Sequence, residues 1–225
     1  MTQKTNTQTI NLEPYASSSY SYAWKQMWKY PLELLCIFAI LILLSIPLAW
    51  LGGSEEYSYT YNPMMRLFSL CYLILFYAPL KYGVDYAYLK AARNEKLEIK
   101  DMFEVFQNYG NAILANILTG FIIGCGFIFL VVPGIIFACK LAFVPYLIVD
   151  EKLDAIEAVK KSWEMTTGHA GAVFLIGLIS IPISFAGFIC LGVGIVPAAI
   201  WIDMALAALF FAVSPKPKKT PKKTK

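Results

Sequence analysis

The sequence predicts an all-α, polytopic membrane protein with six transmembrane helices, and three observations lead to that fold class. The 225-residue chain is 58% hydrophobic and only 15% charged, whereas a soluble domain carries about 25% charged residues. No Asp, Glu, Lys or Arg occurs in residues 105–139 or 165–202. No segment alternates apolar and polar residues over the ten or so positions that barrel strands use. These patterns exclude a water-soluble enzyme and a disordered chain.

The first three spans follow from apolar stretches at residues 34–51, 67–89 and 112–132. A hydrocarbon core about 30 Å thick requires about 20 helical residues, and each stretch is close to that length. The first and third stretches contain no charged residue, whereas Lys81 and Asp85 interrupt the inner half of the second. We therefore predict three helices that each cross the membrane.

The fourth span is shorter and is separated from the third by Val132-Pro133-Gly134. Proline lacks an amide hydrogen and glycine permits a tight reversal, so we expect the third helix to end there. Residues 135–149 follow and contain Lys140. This segment either crosses the membrane with local thinning or re-enters it, and we favour crossing.

The uncharged stretch after His169 is too long for one helix, and glycines cluster in its middle. Dividing it there gives a fifth span at residues 170–189 and a sixth at 195–213. The predicted organisation is therefore a flexible N-terminal segment, a membrane domain and a disordered, Lys/Pro-rich cytoplasmic tail, at residues 1–16, 17–213 and 214–225.

Both termini are predicted to face the cytoplasm, because lysine and arginine concentrate on the cytoplasmic side of membrane proteins. With this orientation, sixteen of the nineteen basic residues fall in the N-terminal segment, the loops after the second and fourth spans, and the tail. Arg66 alone falls outside, while Lys81 and Lys140 lie within spans. An odd number of spans would destroy this segregation, so the charge distribution also favours six.

Three short amphipathic helices are predicted on the cytoplasmic side, each ahead of an odd-numbered span. In the first of them, Tyr20, Trp24 and Trp28 recur at intervals of four residues. Helix capping boxes begin the second and third, and a left-handed glycine is expected to end each one. The boxes pair Asp101 with Glu104 and Asp154 with Glu157, and the glycines are Gly110 and Gly168.

Ionisable residues at membrane depth are the candidate functional positions, since each costs roughly 2.5–3.5 kcal/mol to insert there. Lys140 and Asp203 lie at compatible depths, so we predict an ion pair between the fourth and sixth spans. This pair either specifies helix assembly, the interpretation we favour, or forms a polar site for an ion, a proton or a lipid headgroup. Further candidate contacts with lipid headgroups or the interface are Lys81, Asp85, Trp24, Trp28 and Trp163.

No catalytic, cofactor or metal site is predicted. The single histidine, His169, removes multi-His metal sites and disfavours a Ser-His-Asp apparatus. The five cysteines lie in apolar runs without a Cys-x-x-Cys pair, which is typical of buried free thiols. The basic tail lacks interleaved aromatic residues, so we expect no nucleic-acid partner.

Residues 133–178 carry a recognisable pattern: a Pro-Gly break, an apolar segment ending in Asp150, Ala158 with Ser162, and then Thr-Gly-His. This pattern resembles the membrane-domain family of glycerophosphoryl diester phosphodiesterases and related uncharacterised bacterial integral membrane proteins. The earlier segments SYAWKQMW and ARNEKLEIKDMFEVFQNYG also resemble the family. The resemblance covers most of residues 17–213 and implies a membrane fold. It does not imply the phosphodiesterase activity of some members, because this chain has no room for their catalytic barrel.

We therefore expect a non-enzymatic, multi-pass protein of a bacterial cytoplasmic (inner) membrane, with a membrane-organising, lipid-associated or accessory role. The alternative is a small transporter or channel with a polar site around Lys140 and Asp203. The expected partners are membrane lipids, with a second copy of the chain or another membrane protein as further candidates.

Overall fold

The computed structural model describes residues 13–52, 63–189 and 194–214, and the regular elements in these ranges are all helical. The predicted N-terminal segment and C-terminal tail lie mostly outside the described residues. In chain order the elements are α1 (Ala16–Met27), α2 (Pro31–Gly52), α3 (Pro63–Tyr72), a π-helical turn (Leu73–Tyr77), α4 (Ala78–Ala92), a 3₁₀ helix (Ile99–Asn108), α5 (Tyr109–Phe129), α6 (Val131–Leu141), α7 (Val144–Asp150), α8 (Ala155–Thr166), α9 (Ala170–Ile189) and α10 (Ile195–Val213).

Six helical stretches in the described ranges are long and apolar enough to cross a membrane, which confirms the predicted number. Large apolar side chains such as Phe121, Ile128 and Phe185 are about two-thirds or more exposed on their outer faces, as a surface in contact with lipid requires. The stretches are Pro31–Leu48, Met64–Ala92, Ile99–Phe129, Val131–Asp150, Ala170–Ile189 and Ile195–Val213.

The break between the third and fourth spans lies at Leu130, earlier than predicted, because this residue is extended (φ −169°, ψ 150°). Pro133 falls in the first turn of α6, where a missing amide hydrogen costs nothing. The nearby glycines serve close packing of α5 on α6. A Cβ on Gly134 would lie 2.7 Å from the Phe127 ring, and one on Gly126 would lie 2.9 Å from the Gly134 Cα.

The fourth span is divided between α6 and α7 and measures 20 residues from Val131 to Asp150. At 1.5 Å per residue these two helices cover about 30 Å, the thickness of a hydrocarbon core. This length favours crossing over re-entry.

The second predicted amphipathic helix begins one turn earlier than expected and is a 3₁₀ helix. Glu98 is its N-cap, and the Asp101 carboxylate accepts a 2.9 Å hydrogen bond from the Glu98 amide. The capping box therefore pairs Glu98 with Asp101, whereas Asp101 with Glu104 was predicted. Hydrogen bonds from Lys100 and Lys96 lower the pKa of Glu98 to about 2, which keeps the cap ionised.

The third predicted amphipathic helix, α8, begins after Asp154 as expected. Asp154 does not cap it through its side chain, because that carboxylate instead accepts a 2.9 Å hydrogen bond from Asn111. Gly168 adopts the predicted left-handed conformation (φ 91°). The same prediction for Gly110 is wrong, since the 3₁₀ helix runs directly into α5 and Gly110 lies inside that helix.

Helix α1 packs along α10 and against the start of α9. The Tyr20 hydroxyl donates a 2.9 Å hydrogen bond to the Ile176 carbonyl, and the Trp201 indole donates one of equal length to the Tyr20 carbonyl. Burial raises the pKa of Tyr20 to about 12. The buried face of α1 has the helical spacing that such packing requires and consists of Ala16, Ser19, Tyr20, Ala23, Gln26 and Met27.

Helix α4 is surrounded by α10, α7 and the 3₁₀ helix. Its closest approach to the 3₁₀ helix is at Gly83, where an added Cβ would lie 1.8 Å from the Met102 carbonyl oxygen. Only glycine therefore fits at this position. This contact brings the backbone of α4 against the 3₁₀ helix, and other residues of α4 pack on α7 and α10.

Candidate functional site

Three ionisable side chains meet inside the helical bundle, where α4 packs on α10. The Lys81 ammonium contacts the Asp85 carboxylate and lies 3.1 Å from the Asp203 carboxylate. Residues four apart share one face of a helix, which brings Lys81 onto Asp85. The packing of α4 on α10 then brings Asp203 to the same ammonium group.

This polar cluster lies near the middle of the second span (Met64–Ala92) and of the sixth (Ile195–Val213). At 1.5 Å per residue, Lys81 is about 16 Å from the end of α4 at Ala92, and Asp203 is about 15 Å from the end of α10 at Val213. Half the thickness of a hydrocarbon core is about 15 Å. Lys81 and Asp85 therefore belong to the bundle interior, whereas the sequence analysis favoured an interfacial anchor.

The structure corrects the predicted ion pair between Lys140 and Asp203, because the cation beside Asp203 is Lys81. The Lys140 ammonium instead donates a 2.7 Å hydrogen bond to the Thr167 hydroxyl and lies 5.4 Å from the Trp163 ring centre. The depths of the two predicted partners were compatible. Their helices, however, are not close neighbours: α6 packs mainly on α5, α8 and α9, while α10 packs mainly on α1, α4 and α9.

Buried tyrosines surround the polar cluster. Tyr88 lies on the same face of α4 as Asp85, and both Tyr88 and Tyr146 of α7 lie near Asp85 and Asp203. The Tyr88 hydroxyl is buried and has no hydrogen-bond partner among the described residues. The cluster thus combines two carboxylates, one ammonium and an unpartnered hydroxyl. Asp203, Lys81 and Asp85 were all candidates from the sequence, whereas Tyr88 and the contact between Lys81 and Asp203 were not predicted.

A second charged pair joins the end of α4 to the end of α7. The Arg93 guanidinium donates two hydrogen bonds of 2.6 Å to the Asp150 carboxylate, and the side chains are only 8% and 16% exposed. Burial lowers the pKa of Arg93, but hydrogen bonding to Asp150 outweighs it, so the net pKa is raised. Sequence reasoning missed this pair, although both residues stand at ends of predicted spans. Two parallel hydrogen bonds fix the orientation of the two side chains, so this pair holds the end of α4 against the end of α7.

An apolar groove of about 520 Å³ lies between α5, α6 and α9, and we call it the α5–α6–α9 groove. Cys139 lines it on α6, directly before Lys140, and Val173 lines it in the first turn of α9, shortly after Thr167. Lys140 and Thr167 do not line the groove themselves, but they stand one and six residues from Cys139 and Val173 along the chain. The remaining lining is apolar or glycine and includes Phe127, Ile135, Ala138, Gly177 and Leu178.

The tryptophans predicted to contact lipid headgroups are all at the surface of the described structure. Trp24, Trp28 and Trp163 are 44%, 63% and 40% exposed. Trp24 also packs on Trp201 of α10, with ring centres 4.8 Å apart, and Trp163 packs on Phe137 of α6. Their contact with headgroups stays a prediction.

Residues 103–218 match the model of a family described as a domain of unknown function (DUF7847). The match covers just over half of the chain and includes the third to sixth spans. No curated protein and no solved structure shows a significant match. The expected link to the membrane domain of glycerophosphoryl diester phosphodiesterases is not shown. Within the described ranges, no group of three or more His, Cys, Asp and Glu side chains is arranged to hold a metal ion.

Proposed function

The chain belongs to the DUF7847 family, and from the chemistry of its membrane-facing groove we propose that it is a non-enzymatic membrane protein that binds an anionic phospholipid. The acyl chains occupy the α5–α6–α9 groove, and the headgroup lies beside Lys140. The observation that carries this proposal is an apolar groove lined by Cys139, the residue directly before Lys140, together with a Lys140 ammonium group whose described contacts are a hydroxyl and an indole ring rather than a carboxylate.

Each part of the site favours a different part of one lipid molecule. An apolar lining gains free energy by covering hydrocarbon, whereas a lysine without a carboxylate partner attracts an anionic headgroup by about 1 kcal/mol. The Trp163 ring holds the Lys140 ammonium through a cation–π contact. A phospholipid with a negatively charged headgroup supplies both chemistries in one molecule.

Lys140→Gln is expected to reduce the retention of phosphatidylglycerol about fivefold, the ratio that about 1 kcal/mol corresponds to. Phosphatidylcholine retention should not change, because its headgroup carries no net charge. The measurement is native mass spectrometry of the full chain in mild detergent with each lipid added. Lys25→Gln is the matched control, since Lys25 is an exposed lysine on α1, away from the groove.

The groove itself is tested with Gly177→Leu, which narrows it. No described heavy atom lies within 4 Å of a Cβ at Gly177, so the backbone should tolerate the change. The retention of phosphatidylglycerol and that of phosphatidylcholine should then fall by the same factor. Equal loss of the two lipids in Lys140→Gln would contradict the headgroup site, and competition by inorganic phosphate alone would show that a free anion is bound instead.

We further propose that both termini face the cytoplasm of a bacterial inner membrane, with α1, the 3₁₀ helix and α8 at the inner interface. The segregation of sixteen of nineteen basic residues supports this orientation. The exposed Trp24, Trp28 and Trp163 support contact with the interface, because tryptophan is enriched there. The resemblance of residues 133–178 to the phosphodiesterase membrane domains is proposed to reflect a shared fold without enzymatic activity.

Cysteine labelling tests this orientation in a chain whose five native cysteines are replaced by serine. Ser54→Cys, in a segment outside the described residues, should react with a membrane-impermeant maleimide added to intact cells. Ser214→Cys should react only after the cells are opened. Labelling of Ser214→Cys in intact cells would reverse the proposed topology.

The second candidate function, a small transporter or channel, is now centred on Lys81, Asp85 and Asp203 instead of Lys140 and Asp203. Its support is that the Lys81 and Asp203 side chains are each 32% exposed at mid-depth, since ionisable residues there often mark transport pathways. Solute flux into proteoliposomes that disappears in Asp203→Asn but persists in Lys140→Gln would favour it over lipid binding.

A further inference from the structure

We propose that the polar cluster binds one exchangeable proton, which Asp85 and Asp203 hold as a pair. This site is separate from the lipid groove and does not depend on it. The titratable and charged groups that face one another there come from three helices, namely Lys81, Tyr82, Asp85 and Tyr88 of α4, Tyr146 of α7 and Asp203 of α10.

The count of charges gives the first argument. Two carboxylates share one ammonium group, and the neighbouring tyrosines supply no positive charge. With both carboxylates ionised, a net negative charge would remain at mid-membrane, where an uncompensated charge costs roughly 2.5–3.5 kcal/mol or more. Two like charges close together also disfavour simultaneous ionisation. One proton makes the cluster neutral.

The position of Lys81 indicates why the missing positive charge is a proton. Its ammonium already occupies the space between the Asp85 and Asp203 carboxylates, where a metal ion would have to bridge them. A proton needs no such space. It is taken from water, it forms one O–H bond on a carboxylate oxygen, and no other covalent bond changes.

Tyr88 supplies an independent observation. Its side chain is fully buried, its hydroxyl has no partner among the described residues, and it interacts electrostatically with Lys81, Asp85 and Asp203. Leaving such a group unpartnered costs about 1–3 kcal/mol, so it points to a small missing donor or acceptor. Neither carboxylate is hydrogen-bonded to the Tyr88 hydroxyl, so the partner that we propose is a water molecule that accompanies the proton. The Asp203 side chain is 32% exposed, and we place proton exchange on this exposed side of the cluster.

Infrared difference spectroscopy of the full chain in lipid nanodiscs, between about pH 5 and pH 9, tests the proposal. We expect the carbonyl stretch of a protonated carboxylic acid to persist near pH 7, where ordinary aspartates, with pKa values near 4, are ionised. The band should shift in D₂O, because its proton exchanges. Asp85→Asn and Asp203→Asn should each abolish it, since either change leaves one carboxylate on one ammonium. Asp154→Asn is the control and should leave the band unchanged.

The wild-type spectrum alone can overturn the proposal, so no variant has to fold for the test to be decisive. Absence of a protonated carboxyl band above about pH 6 in the wild-type spectrum would overturn the proposal. A band that survives in both cluster variants would belong to another residue and would also reject it. A cluster band that responds to Na⁺ in place of choline, but not to pH, would show a metal cation in place of the proton.

Discussion

Lys81→Met is expected to lower the ratio of folded to unfolded protein by roughly two to three and a half orders of magnitude, because Asp85 and Asp203 then lose the ammonium group that they share. Removing one partner of a buried ion pair costs roughly 3–5 kcal/mol, and each 1.4 kcal/mol is a factor of ten. Methionine keeps the apolar length of the lysine side chain, so the change removes mainly charge. Protein level in membranes and melting temperature in detergent measure the effect.

The control for this prediction is Lys25→Met, which replaces an exposed lysine of α1 and should leave the melting temperature unchanged. Adding Asp85→Asn and Asp203→Asn to Lys81→Met should recover much of the lost stability, because the unpaired charges are removed. If the triple variant is destabilised by the sum of the effects of the three single substitutions, the side chains do not act as one cluster.

Arg93→Met is expected to destabilise the protein by roughly 3–5 kcal/mol, since it strands the buried Asp150 carboxylate. The two hydrogen bonds of 2.6 Å and the low exposure of both side chains make this the best-defined charged contact between α4 and α7. Loss of the contact should appear as a lower melting temperature in detergent. Adding Asp150→Leu should reverse most of the loss, because no uncompensated charge is then left.

Lys161→Met is the matched control for Arg93→Met. Lys161 pairs with Glu151 near the same place in the fold, but the two side chains are 35% and 27% exposed. Solvent weakens such a pair, and its removal should cost less than about 1 kcal/mol. Equal melting temperatures for Arg93→Met and Lys161→Met would contradict a structural role for the Arg93–Asp150 pair.

The six spans could be predicted because each depends on local sequence. A run of about 20 apolar residues has few alternatives in a membrane other than a helix. The ends of the helices were less predictable, since they depend on tertiary packing. Leu130 ends α5 because Gly126 and Gly134 allow two helices to meet closely, and Glu98 begins the 3₁₀ helix because its cap depends on Asp101.

The candidate site could be predicted only in part for a related reason. The depth of Asp203 identified it as a buried acid, but Lys81 and Lys140 both lay within reach along the membrane normal. Choosing between them requires knowing that α4, rather than α6, lies beside α10, and hydropathy contains no such lateral information. Tyr88 could have been predicted as a member of the cluster from the sequence alone. It lies seven residues after Lys81 and therefore on the same face of the helix.

The contact of α1 with α10 has a consequence for biosynthesis. The Trp201 indole binds the backbone of Tyr20, 181 positions earlier in the chain. At about 5–20 residues per second, Tyr20 is synthesised roughly 9–36 s before Trp201. During that interval Tyr20, Ala23 and Met27 lack the surface that later buries them. An uncovered α1 face therefore distinguishes an unfinished copy of the chain from a complete one.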